Sequence, residues 1–419
     1  MNKSRLLLAL LLFFLSISLF AKPGNRNRQA IEVNSQENPG VKLYENGLSC
    51  FDRQQYDSAW WYFNESFEKY QNKGALFFRG YTQLKLGRQE LALVDLDELI
   101  RTDSTYRHAF YMRGLIQESN GNHEAAVKDF ESQMRLLPDY WKSYAACGRS
   151  LKAMHRYGEA AQMFGSSNEL KFTDSVAVLE AQCYFLNADY RNTIVTADKY
   201  AREGEFSAPG LYKYKGMSFF RQGAFQEAIT ELTISADLDP TDVEAHRMLV
   251  ETQLILADPE KAVRSAVNYS RYSNNSPDAL LTEGICRIVE QKVMFYTDAI
   301  AKIKEAMRID SSLNTSANNA WIAYGYLLSR KEINSFSSSI QIAKRMNTKD
   351  PIVLFVQACA LADSESNSDL VFRYLELACE GGFPYSFMLQ RDPDLMRFEK
   401  NETYKTILEN CKPLVDSNR

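Results

Sequence analysis

The chain has 419 residues, of which 45% are hydrophobic and 24% are charged. That length exceeds what one ordinary globular core holds, so the chain must form several domains or a repeat array. The formal net charge is -4, which argues against nucleic acid as a partner because phosphate binding needs a basic surface.

The stretch from Met1 to Ala21 has the layout of a secretory signal peptide. A basic start precedes an apolar run from Leu6 to Phe20, and the small residue Ala21 offers a cleavage point. The run is short for a membrane span of roughly 17–25 residues, which favours cleavage over an uncleaved membrane anchor. We therefore expect export to the periplasm or the outer membrane of a Gram-negative bacterium. Residues 22–39 are polar and are predicted to form a disordered lead-in.

A regular period is visible across much of the chain. Glycines recur at Gly47, Gly80, Gly114, Gly148, Gly216 and Gly284. Twelve places after most of them stand Ala59, Ala92, Ala126, Ala160 and Ala228. Four places after each alanine stand Phe63, Leu96, Phe130, Phe164 and Leu232. Facing small residues let two antiparallel helices cross closely, and the large residue fills the space against the next pair. The pattern therefore predicts a series of helical hairpins.

The clearest copies, Arg107–Tyr140 and Pro209–Asp242, closely resemble the tetratricopeptide repeat, a helix–turn–helix unit of about 34 residues. The resemblance implies an all-α fold: an α-solenoid, wound as a right-handed superhelix, of about ten such units over residues 40–382. The units are predicted to begin at Gly40, Lys73, Arg107, Trp141, Asp174, Pro209, Val243, Pro277, Asn318 and Pro351. The fifth unit has Ala181 in place of the glycine, and the ninth has Ser337 in place of the alanine.

Residues 383–419 resemble the closing segment of many bacterial repeat proteins, with an Asp-Pro-Asp turn at Asp392–Asp394. A terminal repeat would otherwise expose its apolar face, so we expect this segment to cap the last unit.

The N-terminal stretch ending in LSISLFA also resembles the export signals of Bacteroidetes proteins.

The residues that carry chemistry show no catalytic or metal-binding pattern. The four histidines stand in no ligand spacing, and there is no HExxH, GxSxG, phosphate loop or GxGxxG. The carboxylates Asp95 and Asp97 flank Leu96 and are predicted to lie on a solvated face. The seven cysteines form no CxxC and are expected to be buried free thiols, although their odd number leaves one without a partner in any case. The sequence therefore predicts a protein that is not an enzyme and binds no metal or cofactor.

In a superhelix of this family the first helix of each unit lines the concave groove, through its second, fifth, ninth and twelfth places. The candidate groove residues are Tyr44, Phe51, Phe77, Tyr81, Tyr111, Lys142, Arg149, Lys152, Phe185, Lys213, Phe220 and Tyr326. They give an aromatic first third and a basic middle, which suits a protein or peptide partner of hydrophobic and acidic character. The alternative is that packing between neighbouring first helices buries the rings. No asparagine stands at a ninth place, so the clamp that holds a chaperone's C-terminal carboxylate is absent.

These observations favour a scaffold or adaptor of the cell envelope that binds a protein in its groove. An assembly or secretion accessory factor is a specific version of that function. A glycan- or peptidoglycan-binding module is the alternative, although sugar sites usually use tryptophan and none of the four tryptophans occupies the groove places. The oligomeric state is left open.

Overall fold

The computed structural model describes residues 38–203, 208–330, 332–362 and 367–411. The predicted signal peptide and almost all of the predicted lead-in lie outside these residues. The described residues form α-helices joined by turns and short 3-10 segments, with no β-strand among them. The prediction of an all-α solenoid of helical hairpins is confirmed.

The chain divides into two compact units, which we call the N-terminal unit (up to Asn187) and the C-terminal unit (from Ala188). The described helices of the N-terminal unit are α1 (Pro39–Asp52), α2 (Tyr56–Tyr70), α3 (Lys73–Lys85), α4 (Gln89–Thr102), α5 (Ala109–Ser119), α6 (His123–Leu136), α7 (Trp141–Ala153), α8 (Tyr157–Leu170) and α9 (Asp174–Leu186). Odd-numbered helices are the first helices of the hairpins, and each packs against the helix that follows it in α1–α8.

The C-terminal unit continues the series and ends in shorter helices. Its described helices are α10 (Tyr190–Glu203), α11 (Pro209–Arg221), α12 (Phe225–Leu238), α13 (Val243–Ile255), α14 (Pro259–Tyr272), α15 (Pro277–Glu290), α16 (Tyr296–Ile309), α17 (Ser316–Ser329), α18 (Ile333–Met346), α19 (Pro351–Leu361), α20 (Ser368–Glu380), α21 (Phe387–Arg391) and α22 (Glu402–Asn410). None of the described helices combines the length and apolarity that a membrane span would need.

The repeated glycines lie where the two helices of a hairpin cross. A methyl group added to Gly114 would meet the ring of Phe130 at 2.7 Å, and one added to Gly148 would meet the ring of Phe164 at 2.8 Å. Both rings are fully buried. Glycine is therefore needed because the large residue of the second helix packs directly on the backbone of the first.

The eighth and ninth units depart from the repeat pattern predicted from the sequence. The eighth unit has extra residues between its two helices, around Gln291 to Met294, and they form a left-handed residue at Gln291 and a 3-10 turn, Val293–Phe295. In the ninth unit Ser337 is exposed, while Ile340 and Ala343 of the same helix are buried. The small residue at this crossing is therefore not Ser337, because α18 turns a different face toward the core.

Ion pairs lie inside the second and third hairpins, contrary to the prediction that Asp95 is solvated. Only 3% of Asp95 is exposed, and its two oxygens accept bonds from Arg79 at 2.7 and 3.1 Å. Arg79 also pairs with Glu68 of the preceding hairpin at 2.8 Å. Burial raises the pKa of the Asp95 carboxyl above its ordinary value, although the arginine opposes that shift.

The third hairpin repeats this arrangement. Arg113 binds both oxygens of the buried Asp129, at 2.6 and 2.9 Å, and reaches back to Asp97 at 2.7 Å. Each of these arginines thus ties its own second helix to that of the preceding hairpin. We call the Arg79–Asp95 and Arg113–Asp129 pairs the interior ion pairs.

The described part of the predicted cap, residues 383–411, contacts α17 through Asp392. Asp392 is fully buried and accepts hydrogen bonds from the backbone of Asp394 and Leu395, both at 2.9 Å. Its other oxygen accepts the hydroxyl of Tyr324 on α17 at 2.6 Å. The Asp-Pro-Asp turn therefore fastens the segment to the last hairpins.

The expectation that all seven cysteines are free thiols is wrong for two of them. Cys379 and Cys411 form a disulfide, because α20 and the end of α22 bring their Cα atoms to 5.0 Å. The other five are free: Cys50 is half-buried, and Cys147, Cys183, Cys286 and Cys359 are buried, as expected for small apolar side chains.

Candidate interaction site on the first helices

Nine of the twelve candidate residues lie on the first helices of the N-terminal unit. We call this set the first-helix face: Tyr44, Phe51, Phe77, Tyr81, Tyr111, Lys142, Arg149, Lys152 and Phe185. Neighbouring first helices touch one another, α1 with α3 and α5 with α7. Helical spacing within each hairpin and contact between hairpins therefore bring side chains from successive repeats onto one side of the unit.

Aromatic rings on α1 and α3 pack against one another. The ring centroid of Phe51 lies 5.0 Å from that of Tyr81, and the centroid of Tyr44 lies 5.8 Å from that of Phe78. The ring of Phe77 lies 5.4 Å from that of Tyr106. Such separations are those of favourable ring pairs. Tyr44, Phe51 and Phe77 are half-buried, so each keeps part of its surface open.

Tyr81 and Tyr111 are placed in the core instead. Only 3% of Tyr81 and 5% of Tyr111 are exposed. Tyr111 packs edge-on against Tyr140 at 5.2 Å, and burial raises its pKa to about 12. These two residues are therefore buried by packing, the alternative that the sequence left open, because Tyr81 packs on Phe51 of α1 and Tyr111 on Tyr140 next to α7.

Lys85 stands beside the aromatic part of this face, and sequence reasoning missed it. Its Nζ lies 5.1 Å from the ring centroid of Tyr81. Burial lowers the pKa of Lys85 to about 8, because the charged form loses its hydration. Lys85 follows Tyr81 by four residues, the spacing at which helical side chains meet, and this spacing could have revealed it.

The basic part of the face is held by partners from adjacent hairpins. Arg149 on α7 donates to both carboxylate oxygens of Glu118 on α5, at 3.0 and 2.9 Å. Lys152 on α7 donates to the side-chain oxygen of Gln182 on α9. Even so, 43% of the Arg149 side chain is exposed, against 19% for Glu118. The guanidinium is therefore the more accessible member of the pair.

Two lysines flank Trp141 at the start of α7. The Nζ of Lys142 lies 5.8 Å from the indole ring and that of Lys171 lies 5.2 Å from it. Burial, and secondarily repulsion from Lys171, lowers the pKa of Lys142. This concentration of positive charge beside an aromatic ring suits an acidic side chain of a partner.

The remaining candidates are placed singly. Phe185 is half-buried on α9 of the N-terminal unit. In the C-terminal unit Lys213 pairs with Asp242 at 2.7 Å, and Phe220 packs on Phe225 at 5.5 Å. The hydroxyl of Tyr326 accepts a hydrogen bond from Lys304 at 2.8 Å. These three candidates therefore each contact neighbours within their own unit.

Within the described ranges, no three histidine, cysteine or acidic side chains converge in a way that could hold a metal ion. Of the tryptophans, Trp321 is buried, Trp61 is exposed on the second helix α2, and Trp141 begins the first helix α7 beside Lys142. The first-helix face presents aromatic rings, cationic side chains and hydrogen-bonding groups, which can contact a protein chain.

Residues 108–140 match the family model of the tetratricopeptide repeat. DnaJ homolog subfamily C member 7 of Mus musculus is 28% identical over 181 residues, which are 43% of this chain and 33% of that protein. The same protein of Homo sapiens is 26% identical over 181 residues, with the same shares. The chain thus spans about a third of the length of the curated relatives that it matches.

Two solved structures are also similar to this chain. The C-terminal part of a TPR repeat-containing protein from Cytophaga hutchinsonii has a TM-score of 0.46 and 14% identity, and covers 59% of this chain and 98% of that one. A tetratricopeptide repeat protein from Parabacteroides merdae has a TM-score of 0.34 and 19% identity, and covers 54% and 89%. The family-model match and the repeated hairpins together support a protein of the tetratricopeptide-repeat type.

Proposed function

We propose that this protein is a non-enzymatic scaffold or adaptor, which binds an extended or helical segment of a partner protein along the first-helix face. The observation that carries the proposal is the combination of half-exposed rings on α1 and α3 with an exposed guanidinium on α7. Aromatic side chains and arginine contribute most to binding at protein interfaces. The positive charges around Trp141 favour a segment with acidic residues.

Charge reversal on the face tests the proposal. We would compare the wild-type chain with Arg149→Glu/Lys152→Glu in capture of proteins from envelope extracts of the source cells. A matched control is Lys128→Glu/Arg135→Glu, which reverses two exposed cations on the second helix α6. A partner kept by the control and lost by the face variant supports the proposal. Equal capture by all three chains contradicts it, and binding of peptidoglycan fragments instead would favour the glycan-binding alternative.

We also propose that the chain acts in the cell envelope, where an assembly or secretion accessory role would be a narrower form of the same function. Two observations support export: the basic start with its apolar run, and the disulfide between Cys379 and Cys411. Disulfides persist mainly in oxidising compartments such as the periplasm.

Fractionation tests the location. The chain expressed with the segment from Met1 to Ala21 should reach the periplasmic or outer-membrane fraction with Lys22 at its N-terminus, as read by mass spectrometry. The chain without this segment should stay in the cytosol, with Cys379 and Cys411 reduced. Equal distribution of the two chains would contradict export by this segment.

A further inference from the structure

The disulfide between α20 and α22 borders an open cleft. The cleft has a volume of about 630 Å³ and is lined by Glu376, Cys379 and Glu380 from α20 and by Glu402, Thr406 and Ile407 from α22. Cys379 is half-buried and lines the cleft, whereas Cys411 is 5% exposed and does not. An attacking thiol would therefore meet the sulfur of Cys379.

The cleft presents negative charge to such an attacker. Among the residues that the structure describes, which end at Cys411, its lining includes three carboxylates and no cation. Arg373 pairs with Glu376 at 3.5 Å, and Lys405 with Glu402 at 2.7 Å, from outside the lining. Thiol–disulfide exchange begins with attack by a thiolate anion, so further negative charge on the reagent would be repelled.

The free thiols offer a contrast. Burial raises the pKa of Cys147 to about 12 and that of Cys183 to about 11, and it raises those of Cys286 and Cys359 as well. These four thiols stay neutral and enclosed near neutral pH, so they neither attack nor are attacked.

We propose that Cys379–Cys411 is a thiol–disulfide exchange site for neutral or cationic thiols, and that its reduction loosens α22. The thiolate of a dithiol attacks the Sγ of Cys379, the S–S bond breaks, and Cys411 leaves as a thiolate that takes up a proton. The second thiol of the reagent then displaces Cys379, which is also protonated. Two electrons and two protons pass to the protein, and the reagent becomes a disulfide. This site is separate from the partner-binding function proposed above.

Reduction should loosen α22 because that helix is short. Its nine residues are too few to hold a helix in isolation. It packs on α20 through Tyr404, whose ring centroid lies 6.1 Å from that of Phe372, and Ile407 of the same helix is also buried. The disulfide fixes the end of this helix directly after Asn410. Without the cross-link we expect it to open locally while the preceding hairpins remain folded.

Reagent charge tests the site. Native wild-type protein would be reduced with the monothiols cysteamine, 2-mercaptoethanol and glutathione, two molecules of which replace one dithiol. Each rate would be divided by that of the same thiol on bis(3-hydroxypropyl) disulfide, a neutral disulfide that none of the three reagents forms. We expect cysteamine and 2-mercaptoethanol to exceed glutathione by about fivefold, with the ratio falling toward one in about 1 M salt and in Glu376→Gln/Glu380→Gln. A glutathione rate equal to the others would overturn the proposed selectivity.

Amide hydrogen exchange tests the opening. Dithiothreitol should release two thiols from the native protein and speed exchange in residues 402–410 about tenfold, with no change in residues 73–85. Cys379→Ser/Cys411→Ser should exchange rapidly there with or without the reagent, and Cys50→Ser should behave as the wild type. If no thiols are released under native conditions, or if exchange in α22 does not change, the proposal is wrong.

Discussion

The second and third hairpins of the N-terminal unit differ from the fourth in the location of their cationic side chains. In α3–α6 the arginines lie inside, as the interior ion pairs, and the first-helix face is aromatic. In α7–α8 the places equivalent to the third hairpin's pair hold Cys147 and Met163, and the cations Lys142, Arg149 and Lys152 stand on the face. Hairpins of the same fold thus place their cationic side chains either in the interior or on the first-helix face.

This difference separates side chains that hold the fold from those that can bind a partner. An interior cation such as Arg79 already has carboxylates on both sides and only 11% of its side chain is exposed, so a partner cannot use it. Arg149 pairs with the carboxylate of Glu118, but 43% of its side chain is exposed, so a partner can reach it. Mutation of the enclosed residues of the second and third hairpins should therefore lower mainly stability, and mutation of the exposed cations of the fourth hairpin should lower mainly binding.

The largest effect is expected from Tyr81→Ala. Removing this enclosed ring leaves a cavity against Phe51, and we expect the free energy of unfolding of the N-terminal unit to fall by about 4 kcal/mol. Urea denaturation followed by circular dichroism measures it. Trp61→Ala is the matched control, since Trp61 is 51% exposed on α2, and it should cost less than about 1 kcal/mol. Equal losses in the two variants would place Tyr81 outside the core.

The interior ion pairs should behave as a unit. Arg79→Met leaves the buried Asp95 without its main partner and should cost about 3 kcal/mol. In Arg79→Met/Asp95→Leu both charges are gone, and stability should return to within about 1 kcal/mol of the wild type, because the fourth hairpin holds apolar residues in these places. The same urea titrations decide it. A double variant as unstable as the single one would show that the second hairpin cannot accept an apolar interior.

The hairpins could be predicted from the sequence because their cause is local. Gly114 and Ala126 stand at fixed spacing, and the close helix crossing they permit is what the structure contains. The turn at Asp392 was predictable for the same reason, since the carboxylate of an aspartate before Pro-Asp can accept hydrogen bonds from the backbone N–H groups two and three residues later.

What the sequence could not predict depends on contacts between hairpins. The burial of Tyr81 follows from how closely α1 and α3 approach, which a repeat period does not specify. The solvated face expected for Asp95 was wrong because Arg79, sixteen residues earlier, turns toward it. The disulfide was missed because its two cysteines lie 32 residues apart in sequence and meet only through the docking of α22.

A smaller effect, dependent on pH, is expected at Lys85. Its pKa is about 8 in the folded protein against an ordinary value of 10.5, so between these values the unfolded chain binds more protons. Stability from this group therefore rises with pH across that window and is lowest below about pH 8. Lys85→Met should be more stable than the wild type by about 1–2 kcal/mol near pH 7.5, and this advantage should shrink toward pH 10. Urea titrations across this range measure it.

Lys128→Met is the control for this experiment, because it makes the same substitution at a lysine that is exposed on α6. A stability difference for Lys85→Met that stays constant from about pH 7.5 to 10 would mean that the ammonium group is well hydrated in the folded protein.

The smallest effect on stability is expected from exchanging the charges of the Glu118–Arg149 pair. Glu118→Arg/Arg149→Glu keeps opposite charges facing each other between α5 and α7, so the free energy of unfolding should stay within about 0.5 kcal/mol of the wild type. Binding should respond differently, because the exchange moves the exposed positive charge from the fourth hairpin to the third and away from Lys152. We expect a captured partner to be lost, as measured by the affinity of the purified pair.

The exchange variant distinguishes two roles that Arg149→Ala would confuse. If Arg149 serves only to join the third and fourth hairpins, the exchanged pair restores that link and the partner stays bound. If the guanidinium contacts an acidic segment, the link is restored but binding is not, and only moving the positive charge back to α7 recovers it. Retained affinity in the exchange variant would assign Arg149 to the same structural role as Arg79, and the fourth hairpin would then hold its cations for folding as the second and third do.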